Sequence, residues 1–362
     1  MNAGPLHGVR VIELAGLAPA PFGCMLLADL GADVVRVERP GPVRGVRPPP
    51  GPLDRGRRSL LLDLDDRVGM ASFRRLLAEA DVLVEGFRPG VMERRGLGPD
   101  DVLRDHPRLV YGRMTGWGQT GPMAREAGHD INYIALAGAL EPIGLAGERP
   151  TVPLNIVGDF GGGGLLLAFG VVAALLERER SGRGQVVDAA MVDGASLLMT
   201  FLHGLKAAGW WEGARGENLL DTGSPFYDTY ACADGRFVAV GCIEPEFYAE
   251  FLRLLGLDGD DLGPQDDRSR WAAHREAFAQ RLATRTRDEW ADVFAGSDAC
   301  VTPVLSPWEA HAHAHHRARD AFVTVDDVRQ PAPAPRFSRS KAAPPRALRR
   351  DVAIEDVLRD WT

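Results

Sequence analysis

Apolar strand signals that alternate with helix-length segments constrain this chain more than any other feature. Residues 9–14, 32–37, 59–62, 81–85 and 108–114 each read as a short, largely apolar strand. A Gly/Ala/Pro turn and an apolar helix over 22–30 separate the first two, and an amphipathic helix over 66–80 separates the third from the fourth. Parallel strands need crossovers of that length, so the pattern predicts an α/β fold built on a doubly wound parallel sheet. Ligands of such sheets gather at the carboxyl ends of the strands.

Beyond the fifth strand, a long helix is expected over 165–180, closed by Ser181-Gly182, then a strand over 185–188 and a helix over 189–209. The pattern changes after Trp210. Residues 226–233 and 236–241 flank an Asp234-Gly235 turn and read as a β-hairpin, followed by helices over 246–255 and 288–295. A chain of 362 residues exceeds one ordinary domain. The expected division is a large Rossmann-like domain over 1–188, a helical linker over 189–224, a small α+β domain over 225–305 and a linker over 306–330. A C-terminal segment over 331–362 would return to the large domain through a Pro/Ala/Arg-rich tail and a short helix over 354–361.

Composition excludes several classes. The formal net charge of −8 argues against non-specific nucleic-acid binding. No uninterrupted apolar run of membrane-spanning length stands out, so no membrane span is expected, and residues 1–10 do not read as a secretory signal. Cys24, Cys232, Cys242 and Cys300 are scattered with no Cys-x-x-Cys pair, which fits a reducing, cytoplasmic setting. Only two basic residues, Lys206 and Lys341, are lysine, which disfavours Schiff-base chemistry and hints at a GC-rich bacterial gene.

Two acidic or acid/base positions stand where helices begin. Gly128-His129-Asp130 follows a Gly-rich loop after the fifth strand and precedes an apolar helix over 131–140. It reads either as a capping residue or as an acid/base at the ligand-bearing edge of the sheet. Gly158-Asp159-Phe160 precedes four glycines, Gly161 to Gly164, at the start of the long helix. Four glycines there weaken a helix, so a ligand or another helix must approach the backbone closely. The run lacks the Gly-x-Gly-x-x-Gly spacing of a dinucleotide site. Arg39, Arg44, Arg47, Arg55, Arg57 and Arg58 form a local positive cluster that reads as a solvated loop or as a phosphate receiver. His311, His313, His315 and His316 lack the ligand spacing of a zinc site, so no metal is expected, and Cys300 has no partner pattern of a nucleophile.

These residues resemble the class III CoA-transferase (CaiB/BaiF) family, and within it the α-methylacyl-CoA racemase branch. The resemblance runs over nearly the whole chain. It is carried by Gly8-Val9-Arg10-Val11-Ile12-Glu13-Leu14, Asp29-Leu30-Gly31-Ala32-Asp33, Glu85-Gly86-Phe87-Arg88-Pro89-Gly90 and Gly118-Gln119-Thr120-Gly121-Pro122. Gly128-His129-Asp130, Gly158-Asp159-Phe160 and Ile243-Glu244-Pro245 are the parts most specific to the racemases.

The resemblance implies an interlocked homodimer, with the active site between one chain's large domain and its partner's small domain. It implies a catalytic set of His129, Asp159 and Glu244 that inverts a 2-methylacyl-CoA thioester by 1,1-proton transfer through an enolate. His129, oriented by Glu244, would serve one face of the carbon and Asp159 the other, with backbone N–H groups after His129 near the enolate oxygen. The alternative is CoA transfer through an acyl-aspartyl anhydride at Asp159. No cofactor is implied, because coenzyme A is part of the substrate. CoA would lie along Arg39, Leu62-Asp63-Leu64, Gly86-Phe87-Arg88, Arg94 and Gly128-Asp130. One departure is Asp65, where the family often has lysine; either Arg58 or Arg67 substitutes, or CoA affinity is weaker. Acyl-chain preference is not legible.

Overall fold

The computed structural model describes residues 4–14, 16, 18–41 and 51–362. Contacts divide the chain into two compact units. The first comprises Met1–Ala139, Pro153–Met199 and Arg317–Thr362, and the second comprises Leu140–Val152 and Thr200–His316.

The first unit is built on six strands: β1 (Arg10–Leu14), β2 (Asp33–Glu38), β3 (Arg57–Leu61), β4 (Val82–Glu85), β5 (Val110–Thr115) and β6 (Val186–Ala190). All pairings are parallel and the order is β3-β2-β1-β4-β5-β6. The order in which strands are laid down therefore reverses between β1 and β4, and a crevice opens above their carboxyl ends. Because alternate side chains leave opposite faces of a strand, each strand feeds two cores. Val11, Val34, Val82 and Val110 pack on one face with Leu167 and Val171 of the long helix. Ile12, Val35, Leu83 and Tyr111 pack on the other with Phe73, Leu76 and Trp361.

The C-terminal tail seals an edge that would otherwise expose unpaired backbone groups. Arg349 N–H donates to Arg57 O (3.0 Å) and Ser59 N–H donates to Arg349 O (2.8 Å), so the tail runs beside β3. The Ile354–Trp361 helix then locks down through the Trp361 indole, which donates to Asp33 Oδ2 at 2.8 Å. Before the tail, Phe322–Val325 and Val328–Pro331 form a hairpin in a stretch read from sequence as linker. Its turn residues Asp326 and Asp327 have φ of 52° and 61°, as a two-residue hairpin turn requires.

Two helical expectations change. The helix expected over 189–209 is two helices, Met191–Leu198 and Thr200–Ala207, and the boundary between the units falls at the break. The long α-helix, Leu166–Ser181, is preceded by ten residues, Ile156–Leu165, wound as a wide π-helix. The tetraglycine explains this junction. A Cβ on Gly164 would sit 2.4 Å from Pro19 O, and one on Gly162 would sit 2.6 Å from Ala195 N. Two neighbouring helices thus lie against bare backbone, which is the close approach that the glycine run demanded.

The combined helix, Ile156–Ser181, is 26 residues long with a mean hydropathy of 1.8 over its most apolar stretch, enough by length and composition to cross a membrane. Asp159 and Glu177 bound its apolar stretch, so the expectation of no uninterrupted apolar run of spanning length stands, while the helix as a whole meets the length and composition of a span. Leucine, valine and phenylalanine side chains carry its hydropathy, and one face packs on the sheet through Leu167 and Val171.

The second unit carries an antiparallel three-stranded sheet, Asp228–Ala231, Phe237–Val240 and Val301–Pro303. Helices Pro245–Leu255, Trp271–Leu282 and Arg287–Phe294 enclose an aromatic core of Tyr230, Phe251, Phe278 and Trp290. The Trp271–Leu282 helix was missed from sequence although Trp271, His274, Phe278 and Leu282 repeat at helical spacing and are all buried.

Candidate active site

A cavity of about 710 Å³ opens at the carboxyl edge of the sheet in the first unit. Its walls come from Pro19 and Ala20 after β1, residues 86–89 after β4 and residues 115–117 after β5. His129, Tyr133 and Asp159 close it.

Each of these groups is held locally. His129 is the N-cap residue of the Asp130–Leu136 helix, which ends four residues earlier than expected, and its backbone N–H donates to Asn132 Oδ1 at 3.0 Å. The cap is therefore the backbone of His129, which leaves the imidazole to face the cavity. Tyr133, one turn on, donates from its hydroxyl to Gly128 O and packs edge-on against Trp117 with ring centroids 4.7 Å apart. Asp159 stands inside the π-helix, where the wide turn changes the direction of its side chain relative to a regular helix. Asn155 Nδ2 donates to Asp159 Oδ2 at 3.0 Å. Burial pushes the Asp159 carboxyl above the ordinary carboxylate range and the Asp130 charge adds to this; the Asn155 bond and His129 oppose it.

Of the residues expected to hold coenzyme A, Gly86, Phe87, Arg88 and Gly128 line the cavity. Arg39, Leu62, Asp63, Leu64, Arg94 and Asp130 do not. Leu62 and Leu64 are half-buried against the second core. Asp63 Oδ1 accepts the backbone N–H of Asp65 at 3.0 Å, and Arg94 is exposed. Asp130 is buried behind the wall, with Oδ1 accepting the backbone N–H of Asp159 at 2.6 Å. Glu244 belongs to the second unit, exposed at the N-cap of the Pro245–Leu255 helix.

The arginine cluster separates into different roles. Arg57 is buried against Glu13, and Arg36 against Asp54. Arg55 is buried in a fork on Asp29 (3.0 and 2.5 Å) and also donates to Pro331 O at 2.7 Å, which fastens the hairpin to the sheet domain. Arg58 is committed to Asp33 and Asp360, both at 2.6 Å, so it is not a spare cation beside Asp65. Arg39 is exposed and pairs with Asp65 at 3.5 Å, while Arg95 pairs with the same carboxylate at 2.8 Å and holds it below its usual range. Arg44 and Arg47 lie outside the described residues.

Other site residues carried no role in the sequence reading. Glu85 is fully buried at the end of β4, accepting Phe87 N–H at 2.7 Å and Arg113 Nε at 2.9 Å, so it shapes the loop that carries Phe87 and Arg88. Burial raises its carboxyl. Tyr133 and Asn155 each stand four residues from a chemical group, the spacing of one helical turn, and that spacing was the available signal. Among the described residues no cluster of three or more His, Cys, Asp or Glu could hold a metal ion.

The sheet order and the cavity at its carboxyl edge define an α/β architecture of the ligand-binding kind, and comparison with known proteins makes it specific. The profile of CoA-transferase family III matches residues 6–351, and the chain belongs to that family. It is 50% identical over 361 residues to the alpha-methylacyl-CoA racemase of Mus musculus, covering 98% of this chain and 93% of that protein. It is 48% identical over 362 residues to the Homo sapiens alpha-methylacyl-CoA racemase, with the same coverage. A CaiB/BaiF family protein from Brucella suis has a crystal structure with a TM-score of 0.83 at 26% identity, covering 99% of this chain and 100% of that one.

Proposed function

We propose that the protein is an isomerase that inverts the α-carbon of 2-methylacyl-CoA thioesters. The observation that carries this is one cavity wall holding both His129 and Asp159 at the carboxyl edge of the sheet. The near-50% identity to two racemases along almost the full chain supports the substrate class.

The chemistry is a pair of proton transfers. A proton α to a thioester carbonyl is weakly acidic, and inversion needs a base on one face and an acid on the other. His129 removes or delivers the proton on one face and Asp159 on the other, with roles exchanged by reaction direction. A carboxyl raised by burial is the better acid/base for this task, because its affinity for a proton moves closer to the working pH. Tyr133 and Trp117 give the cavity an apolar wall beside the reacting carbon.

Glu244 completes the set as the group that orients His129. We assign this role to Glu244 of a second copy in a homodimer, on the support of its exposure at a helix N-cap. Co-expressing an Asp159→Ala chain with a Glu244→Gln chain tests this, because hybrid dimers regain one intact site; verified hybrids without activity reject sharing. Gly86, Phe87 and Arg88 would flank the pantetheine arm, with Arg39 towards the phosphates. The proposed chemistry needs no further cofactor.

The deciding measurement is incubation of one enantiomer of a 2-methylacyl-CoA in D2O without any acceptor acid. Racemisation with α-deuterium incorporation is expected. Thioester exchange only after a free acid is added would instead assign the protein to CoA transfer through Asp159.

A further inference from the structure

The relative position of His129 and Asp159 depends on two segments distant in sequence, and one buried side chain joins them. Asp130 follows His129 in the chain as the first residue of its helix and is 5% exposed. Its Oδ1 accepts the backbone N–H of Asp159 at 2.6 Å. A Cβ on Gly158 would stand 2.6 Å from that same oxygen, so the residue before Asp159 is bare where the carboxylate seats. The other oxygen, Oδ2, is buried with no hydrogen-bond partner among the described residues. A buried carboxylate with one free oxygen is costly to keep, and this one does not line the cavity, so its site must return something other than a substrate contact.

We infer that Asp130 is a positioning residue for Asp159: it ties the π-turn to the segment carrying His129 and so fixes the separation of the two proton-transfer groups. The inference rests on the racemase reading. Its physical basis is the sensitivity of proton transfer to distance. A displacement of about 1 Å in a catalytic group costs on the order of a hundredfold in rate. The wide turn makes the clamp necessary, because a π-helix is a local departure from the regular ladder and needs an outside contact to hold one geometry. The clamp grips the backbone at Asp159 itself, while His129 keeps its own cap through Asn132. Loss of the clamp should therefore displace Asp159 and leave His129 in place.

This asymmetry provides the test. The two enantiomers of a 2-methylacyl-CoA present their α-hydrogens to opposite faces, one to His129 and the other to Asp159. Loss of α-hydrogen to D2O is followed separately from each enantiomer in wild type, Asp130→Ala, Asp130→Asn and Gly158→Ala. In Asp130→Ala, exchange from one enantiomer should fall about a hundredfold and from the other less than about threefold, with KM within about threefold of wild type. The retained exchange should proceed without inversion, since inversion needs both groups. Asp130→Asn keeps an oxygen acceptor and should restore most of the lost exchange. Gly158→Ala, which leaves Asp130 present but displaced, should reproduce the Asp130→Ala pattern. Equal losses from both enantiomers, no loss, or no recovery in Asp130→Asn overturns the clamp while leaving the racemase reading intact. A wild-type enzyme that exchanges no α-hydrogen overturns the racemase reading and this inference with it.

Discussion

The charged groups of the β2–β3 side and those above β1, β4 and β5 look alike in sequence and behave in opposite ways. On the β2–β3 side, Arg55 and Arg57 point into the protein and are consumed by Asp29 and Glu13, and Arg36 is neutralised by Asp54 where both reach the cavity wall. Above the switch point, His129, Asp159 and Arg88 face a cavity. Density of charge along the chain does not separate the two, but strand position does. A residue within a parallel strand faces a covered layer and must find a partner there, whereas one just past the carboxyl end faces an opening. Arg57 lies within β3 and off the cavity, while residues 86–89 follow β4 and line it.

The largest expected effect lies above the switch point. His129→Ala or Asp159→Asn should lower kcat by about 10²–10⁴, the usual contribution of a positioned acid or base, with little change in KM. Steady-state racemisation rates check this. A similar loss from Arg57→Ala at unchanged stability would erase the contrast between the two regions.

Next comes the buried pair. Arg57→Ala should destabilise the fold by about 3–5 kcal/mol, because it leaves Glu13 charged and buried without its partner. Denaturant titration measures it. The protein that remains folded should keep a near-normal kcat, since Arg57 lies off the cavity wall.

The legible and illegible parts of the chain divide along the same line. The β1–β5 strands were readable because a buried parallel strand writes itself as a continuous apolar run, and β6 because a helix-length segment precedes it. His129 and Asp159 were readable because each precedes an apolar helical segment after a glycine-marked turn. What sequence did not disclose was direction. Asp130 and His129 are neighbours, yet one backs the wall and the other lines it. The arginine cluster read as one patch because the pairing of Arg55 with Asp29, 26 positions away, and of Arg58 with Asp360, 302 positions away, is set only by the fold. The π-helix was hidden for a related reason: four glycines mark close packing without saying how the backbone winds.

A smaller effect sharpens the comparison at the exposed margin. Arg39 is the described member of the arginine cluster that stays in solvent, 72% exposed at its side chain, and it is shared with Asp65. Exposed charge contacts are worth up to about 1 kcal/mol, so Arg39→Ala should raise KM for acyl-CoA about fivefold at low salt and leave kcat unchanged. Asp65→Asn should move KM the other way by releasing Arg39 and Arg95 towards phosphate. Unchanged KM in both variants would place the nucleotide end elsewhere.

The smallest effect concerns the stability cost of the half-buried carboxylate in the cavity wall. Burial raises the folded-state affinity of Asp159 for a proton above that of the unfolded chain, whose reference value is 3.8. The folded protein therefore binds more protons than the unfolded one between that value and the raised one, and stability falls as pH rises through this window. At neutral pH the ionised Asp159 is a net burden on the fold. Asp159→Asn keeps the size of the side chain and an oxygen that can still accept from Asn155, and it removes the charge. Its Tm should exceed that of the wild type at pH 7, and the difference should shrink as pH is lowered towards 3.8. The buried Arg57–Glu13 pair behaves in the opposite sense, since Arg57→Ala lowers Tm. Thermal denaturation of the two variants across pH compares the regions directly. If Asp159→Asn lowers Tm at pH 7, the carboxylate is structurally paired like Glu13, and the division between a charge the fold uses and a charge the fold tolerates does not run along the carboxyl edge of the sheet.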